Sequence, residues 1–337
     1  MSKATTRILV LLGMAIALTG GALYLVFEQY DRFLNTPLSI PSAGYVVQIE
    51  SGMPAIAVVR ELDRLGFTRM GWKWKVLMRL EPPEIRSGEF RLTAGLKPRE
   101  LLNLLSSGSV VQYRFTVVEG WTYTQLLAAL SQNEDLEQTT NDLETQTWPY
   151  FLPDSDITHP EGLFLPETYL FTRGDSTADI LRRSHHAMKE TLAAAWRERD
   201  AGLPLNSPYE LLVLASIIEK ETSRDSERKE IAGVFLRRLK KNMRLQTDPT
   251  VIYGIGENYD GNIRRKDLRA DTPYNTYTRH GLPPTPIALP GRRSLFAAGQ
   301  PDDGDSLYFV ADGKGGHTFS RTLEEHNNAV RKLIGKG

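Results

Sequence analysis

Ser207-Pro208-Tyr209-Glu210-Leu211-Leu212-Val213-Leu214-Ala215-Ser216-Ile217-Ile218-Glu219-Lys220-Glu221-Thr222 decides how the larger part of this chain is read. It opens as a helix start: Ser207 can cap, Pro208 fits the first helical position, and Glu210 completes a capping box. Leu211 to Ile218 is apolar almost all round, which predicts a buried central helix rather than a surface one. At roughly 100° per residue the apolar side centres near Leu211 and Ile218. Glu221 follows Leu214, Ile217 and Ile218 at helical-neighbour spacing, so it is expected to project from near that side. Glu219 lies further off the centre and Lys220 points nearly opposite. A carboxyl leaving the apolar end of a buried helix is desolvated, which raises its pKa and keeps it protonated near neutral pH. A glycosidic bond demands that state of its general acid. The plainer reading is a solvated helix end with Glu219 and Glu221 paired to Lys220, Arg224 or Arg228, and periodicity alone leaves both open. A negative charge at a helix C-terminus opposes the macrodipole, an oddity that points towards function.

Upstream, Ile8 to Phe27 carries no charge and is rich in Leu, Val, Ala and Gly. At about 1.5 Å per residue such a run spans a hydrocarbon core of roughly 30 Å. Lys3 and Arg7 precede it, whereas Glu28 and Asp31 follow with Arg32. The positive-inside rule therefore leaves 1–7 in the cytoplasm and puts everything after the 8–27 helix outside. A cleaved signal peptide has an apolar region of about 7–15 residues and an A-x-A-like site. This run is longer, and Gly20-Gly21-Ala22 matches such a site only weakly, so the segment reads as an anchor.

Composition removes several function classes. Charged residues make up 24% and balance to a formal net charge of +0, which argues against a nucleic-acid partner. Cysteine is absent, so there is no disulfide framework, thiolate nucleophile or Cys metal site. The histidines, at 159, 185, 186, 280, 317 and 326, include no i, i+4 pair, so no metal site is expected.

After a Pro-containing linker over 28–43, a short β-type run ending at glycine and followed by an amphipathic helix recurs. It is seen at 45–49 with 55–65, at 88–92 with 98–105, and at 113–118 with 124–130. A strand-helix-helix-strand unit over 44–108 makes a small α+β module whose pattern resembles the glycan-binding LysM-like module, with plain packing as the alternative. Residues 133–160 are polar and acidic, and read as a loop-rich connection; Ala178 to Arg197 is helical again. Asp312-Gly313 reads as a hairpin turn, and Gly313-Lys314-Gly315-Gly316 lacks the spacing of a phosphate cradle. The expected fold class is α+β: one N-terminal transmembrane helix, the small module, then a larger mixed α/β domain over 109–337 containing the buried helix.

The block Ala215-Ser216-Ile217-Ile218-Glu219-Lys220-Glu221-Thr222, with Glu227-Arg228 and Val234-Phe235-Leu236-Arg237-Arg238-Leu239, resembles the YceG-like endolytic murein transglycosylases, the MltG family. The resemblance continues through Met243 to Gly254, Tyr274-Asn275-Thr276-Tyr277, Gly281-Leu282-Pro283-Pro284, Pro290-Gly291 and Tyr308 to Gly313. Gly316-His317-Thr318-Phe319 and His326-Asn327 close it. Upstream, Glu161 to Tyr169 matches a further block, with Glu167 where Asp is common. The resemblance lays the family's catalytic glutamate on Glu221. It implies a lytic transglycosylase that needs no cofactor and acts on nascent peptidoglycan glycan strands, held in the inner membrane with a periplasmic catalytic domain, with peptidoglycan synthases as possible partners. Gln246, Thr247 and Asp248 precede Pro249 in a turn. Tyr253, Tyr274 and Tyr277 can stack on sugar rings or pack in the core, Asn275 can orient an acetamido group or an oxocarbenium-like centre, and Glu161 and Glu167 can line the same cleft. A conventional hydrolase and an inactive peptidoglycan-binding scaffold are the competing functions.

Overall fold

The computed structural model describes residues 3–139 and 159–334. The acidic connection expected over 133–160, with Asn141-Asp142 and Pro153 to Asp156, therefore lies largely outside the described residues. The chain divides into two compact units, Met1–Tyr113 with Thr172–Gly174, and Arg114–Phe171 with Asp175–Gly337.

The first unit begins with helix α1, Lys3–Asn35, whose residues from Ile8 to Phe27 leave their large apolar side chains uncovered. It is the one helix among the described residues long and apolar enough to cross a membrane. The helix does not stop at Phe27, because Tyr30, Phe33 and Leu34 give its last turns an apolar face that packs on the unit's core. Leu38 and Ile40 are buried in that core as well, so the segment expected as a linker over 28–43 is part of the folded unit. Strand β1 (Tyr45–Ile49) runs into α2 (Ala55–Arg64), α3 (Trp72–Leu80), β2 (Gly88–Leu92) and α4 (Pro98–Ser107). β1 and β2 pair antiparallel with Val47 opposite Phe90, and Val47, Ile49, Phe90 and Leu92 face inward on Leu62, Trp74, Leu77 and Leu101.

β3 (Tyr113–Thr116), which belongs to the second unit from Arg114 on, pairs with β4 (Thr168–Phe171), and α5 (Tyr123–Ser131) carries a Thr122–Gln125 capping box. Then follow α6 (Thr177–Arg197), α7 (Pro208–Glu221), α8 (Asp225–Lys240), α9 (Asp248–Ile255), the short α10 (Arg265–Arg269) and α11 (Arg292–Gly299). The hairpin β5 (Tyr308–Ala311) and β6 (His317–Ser320) is covered by α12 (Leu323–Ile334). Helix α7 is the centre of this unit, packed by α6, α8, α9 and α11, with Leu211 through Ile218 all buried. Ser207 caps it as the sequence predicts, its Oγ accepting the Glu210 N–H at 3.2 Å. The second half of the box differs: the Glu210 carboxylate accepts the N–H of Asn206, at 2.7 Å, instead of that of the cap residue. Thr222 ends the helix in extended backbone, and its Oγ1 accepts the Arg224 N–H at 3.0 Å, which turns the chain into α8.

Candidate active site

The two glutamates at the end of α7 have opposite environments, and not those that helical periodicity suggests. Glu219, expected further from the buried side, has a side chain only 5% exposed beside the equally buried Arg228 guanidinium, 3.1 Å away. Its other oxygen accepts the Ser294 hydroxyl at 2.8 Å and the Gly291 N–H at 2.9 Å. The reason is the neighbourhood: α7 is surrounded, so its polar end meets α8 and α11 rather than water, and Arg228 supplies the compensating charge. With both oxygens of Glu219 engaged, this carboxylate is a structural fixture.

Glu221 is partly buried and, among the described residues, has one side-chain hydrogen bond, accepted at Oε1 from the Thr247 hydroxyl. Burial pushes its carboxyl up to about 7. The Thr247 hydroxyl and the nearby His317 and Arg238 pull the other way, while Asp248 adds to the rise. Such a group exchanges a proton readily near neutral pH.

Thr247 is held tightly. Gln246 sits in the left-handed region at φ 52°, and this turn pins its own N–H to the Thr276 carbonyl at 3.2 Å. The Thr247 N–H donates to Thr276 Oγ1 at 3.1 Å, and Thr250 donates to the Thr247 carbonyl at 2.8 Å. Left-handed backbone in a non-glycine residue costs about 1–3 kcal/mol and persists only where the surroundings impose it. Asp248 opens α9, where a carboxylate suits the positive end of the helix, and accepts the Tyr277 hydroxyl at 2.6 Å. Burial, then that contact, raises the Tyr277 phenol well above its ordinary value. Gln246, Thr247, Asp248 and Tyr277 are thus brought together with Glu221.

Asn275 is 1% exposed, and its amide donates to the Ala270 and Asp267 carbonyls at 2.7 and 3.1 Å. Its Oδ1 accepts the Tyr277 N–H at 2.9 Å. The expectation that it orients an acetamido group is therefore corrected: its polar atoms are committed to shaping the loop that presents Thr276 and Tyr277.

Glu161 forms a second buried carboxyl site. Its Oε1 accepts the Tyr123 N–H at 3.0 Å and its Oε2 the Tyr253 hydroxyl at 3.1 Å. Burial raises it to about 7, against the pull of those hydrogen bonds and of Lys220. Tyr274 meets Tyr253 edge-on at 4.9 Å and shares a hydrogen bond with Thr285 at 2.9 Å. Helix α9 links the two carboxyls, with Asp248 at the Glu221 end and Tyr253 one and a half turns on. Glu167 does not join them: its side chain is 48% exposed and lies 3.5 Å from Arg292.

Sequence reading quoted Arg238, Glu227 and His317 within the family blocks but assigned none of them a role. Arg238 falls on the buried row of α8 after Ile231, Val234 and Phe235, so a cation on an apolar stripe was the available signal. It donates to the Leu307 and Leu245 carbonyls at 2.7 and 2.8 Å, and burial lowers its pKa. Glu227 grips His317 at Nδ1, 2.7 Å, and at its N–H, 3.1 Å, and also accepts the Thr222 hydroxyl at 3.2 Å. Nothing local marks that pair, whose members are joined only by the fold.

The chain as a whole is similar to proteins of known sequence. The profile of the YceG-like family matches residues 47–332. The chain is 37% identical over 327 residues to the endolytic murein transglycosylase of Bacillus subtilis (strain 168), covering 90% of this chain and 89% of that one. It is 25% identical over 341 residues to the endolytic murein transglycosylase of Streptococcus pneumoniae serotype 2, covering 91% of this chain and 61% of that longer one. A 2.6 Å crystal structure of a yceG-like protein from Listeria monocytogenes superposes with a TM-score of 0.56 at 31% identity, over 85% of this chain and 98% of that one. Profile, relatives and architecture agree over nearly the whole length, and the chain belongs to the YceG-like family.

Proposed function

We propose that this chain is a membrane-anchored endolytic transglycosylase of peptidoglycan, with Glu221 as its acid and base. The observation that carries the reading is the division of labour on α7: Glu219 is locked in a buried ion pair, while Glu221 is raised to about 7 with the Thr247 hydroxyl as its one hydrogen-bond partner among the described residues. Protonated Glu221 donates to the oxygen between N-acetylmuramic acid and N-acetylglucosamine, and the bond from the muramoyl C1 to that oxygen breaks. The muramoyl 6-hydroxyl then attacks C1. Its proton passes to the Glu221 carboxylate, which restores the acid and leaves a 1,6-anhydro end. The sugar supplies the nucleophile, so no second carboxylate is required in the chemical step.

Thr247 orients the Glu221 carboxyl, and Tyr277, Asp248 and Gln246 lie where they can line the sugar cleft. The names of the relatives support peptidoglycan as substrate. α1 crosses the inner membrane with its basic start in the cytoplasm, so that the catalytic domain is periplasmic and meets strands as synthases release them. The β1-α2-α3-β2 arrangement supports a LysM-like, glycan-gripping role for the first unit.

A second reading has Glu161 behind it. This carboxyl is also buried and raised to about 7, and a conventional muramidase would use it with Glu221 to activate water. Digestion of purified glycan strands in ¹⁸O-water, read by mass spectrometry, separates the two. The transglycosylase leaves muramoyl ends one water lighter and free of ¹⁸O. A hydrolase leaves reducing ends carrying it, and a scaffold leaves the strands intact.

A further inference from the structure

The outward face of α3 plays no part in the chemistry above, and its composition is unusual. From Phe67 to Leu80 the chain carries Arg69, Lys73, Lys75 and Arg79 and no acidic residue. None of these cations is taken by a carboxylate among the described residues. α3 turns Trp74 and Leu77 into the core of its unit and leaves Lys75, Arg79, Trp72 at 44% exposure and Leu80 at 66% on the outside. Lys73 lies 5.9 Å from the Trp72 ring centre. Two large apolar side chains among cations on the open face of a short helix match the interfacial pattern, in which rings and aliphatic chains enter a headgroup layer while cations meet phosphate.

The position of that face follows from α1. Trp72 stacks on Tyr30 at 6.4 Å between ring centres, and Trp74 meets Phe33 edge-on at 5.2 Å. Tyr30 follows Phe27, the last residue of the apolar run, by about 4.5 Å of helix rise. The headgroup layer on each side of a bilayer is about 5–7 Å deep. If Phe27 marks the edge of the hydrocarbon, Tyr30 and the Trp72 stacked on it stand in that layer, where aromatic side chains are enriched. Beside them opens a cavity of about 750 Å³ whose charged lining is Arg32, Arg69 and Lys73 with the single carboxylate Asp63.

We propose that α3 seats the first unit on the outer surface of the bilayer that α1 crosses, with Lys73, Lys75, Arg69 and Arg79 meeting anionic phospholipid phosphates and Trp72 and Leu80 entering the headgroup layer. The proposal rests on the reading of α1 as a membrane span. It makes the anchor a two-point attachment that holds the first unit at a set height, instead of a tether on which it swings.

The chain has no cysteine, so single nitroxide labels report cleanly. The full-length protein carrying L18C, L80C or R91C is labelled and reconstituted in vesicles of equal parts phosphatidylglycerol and phosphatidylcholine. Collision with oxygen and with a water-soluble nickel chelate then gives each label's depth. The expected result is Leu18 in hydrocarbon, Leu80 protected from nickel several-fold relative to Arg91, and loss of that protection when K75E and R79E are added. A Leu80 label as open to nickel as Arg91, with Leu18 in hydrocarbon, overturns the seating alone, and protection unchanged by K75E and R79E overturns the phosphate contact. A Leu18 label open to nickel overturns the membrane span, and the seating with it.

Discussion

At the scale of single residues, Glu219 and Glu221 are the same side chain two positions apart, and packing gives them different work. Arg228 is 4% exposed on its side chain, so Glu219→Gln leaves a buried guanidinium short of its main partner. That change is expected to lower stability by about 3 kcal/mol, read as a shifted denaturant midpoint. Thr247 acts on Glu221 in a different way. Its hydroxyl donates to the ionised carboxyl and holds the pKa below what burial alone would give. The proton donor is present below about 7 and is lost as pH rises through that value. Thr247→Val removes the donor, favours the protonated form, and is expected to move the alkaline limb of the pH-rate profile upward. An alkaline limb that stays put or moves down in that variant would remove Thr247 from the account.

At the scale of elements, α7 was legible in its cap, its length and its burial, because eight successive apolar or small residues admit no solvent-facing surface helix. The orientation of its last turn was not legible. Helical angle places Glu219 away from the apolar centre, but a helix surrounded by α6, α8, α9 and α11 has no outside, and the partner Arg228 comes from another helix. The turn at Gln246 was legible but its left-handed backbone was not, because that is imposed by Thr276, thirty residues on, and not by Gly or Asn in place. Asn275 looked like a ligand group because an amide beside tyrosines suits a sugar, whereas the fold uses it to hold a turn. Gly162 carries the loop that delivers Glu161, at φ 82°, with Pro286 2.5 Å from where a Cβ would stand. Gly162→Ala is expected to cost about 2 kcal/mol or more in unfolding measurements and to loosen the Glu161–Tyr253 contact.

At the scale of the whole molecule, the long apolar helix α1 is continuous with the first folded unit, since Tyr30, Phe33 and Leu34 pack on the core and Leu38 and Ile40 are buried in it. Chains beginning at Glu28 and at Gly44 should therefore differ sharply. The shorter one loses those side chains and about 5 kcal/mol or more of apolar packing, visible as an earlier unfolding transition of the first unit. Equal midpoints would make 28–43 a linker after all. The central claim concerns Glu221, and the most direct test is the yield of anhydromuramoyl ends from glycan strands treated with the full-length protein, its Glu221→Gln form and its Glu219→Gln form at a temperature where all three are folded. The account predicts that Glu221→Gln lowers the rate by about 10²–10⁴-fold or more while Glu219→Gln still yields anhydro ends. Anhydro ends formed by Glu221→Gln at the wild-type rate would contradict it and move the search for the acid to Glu161.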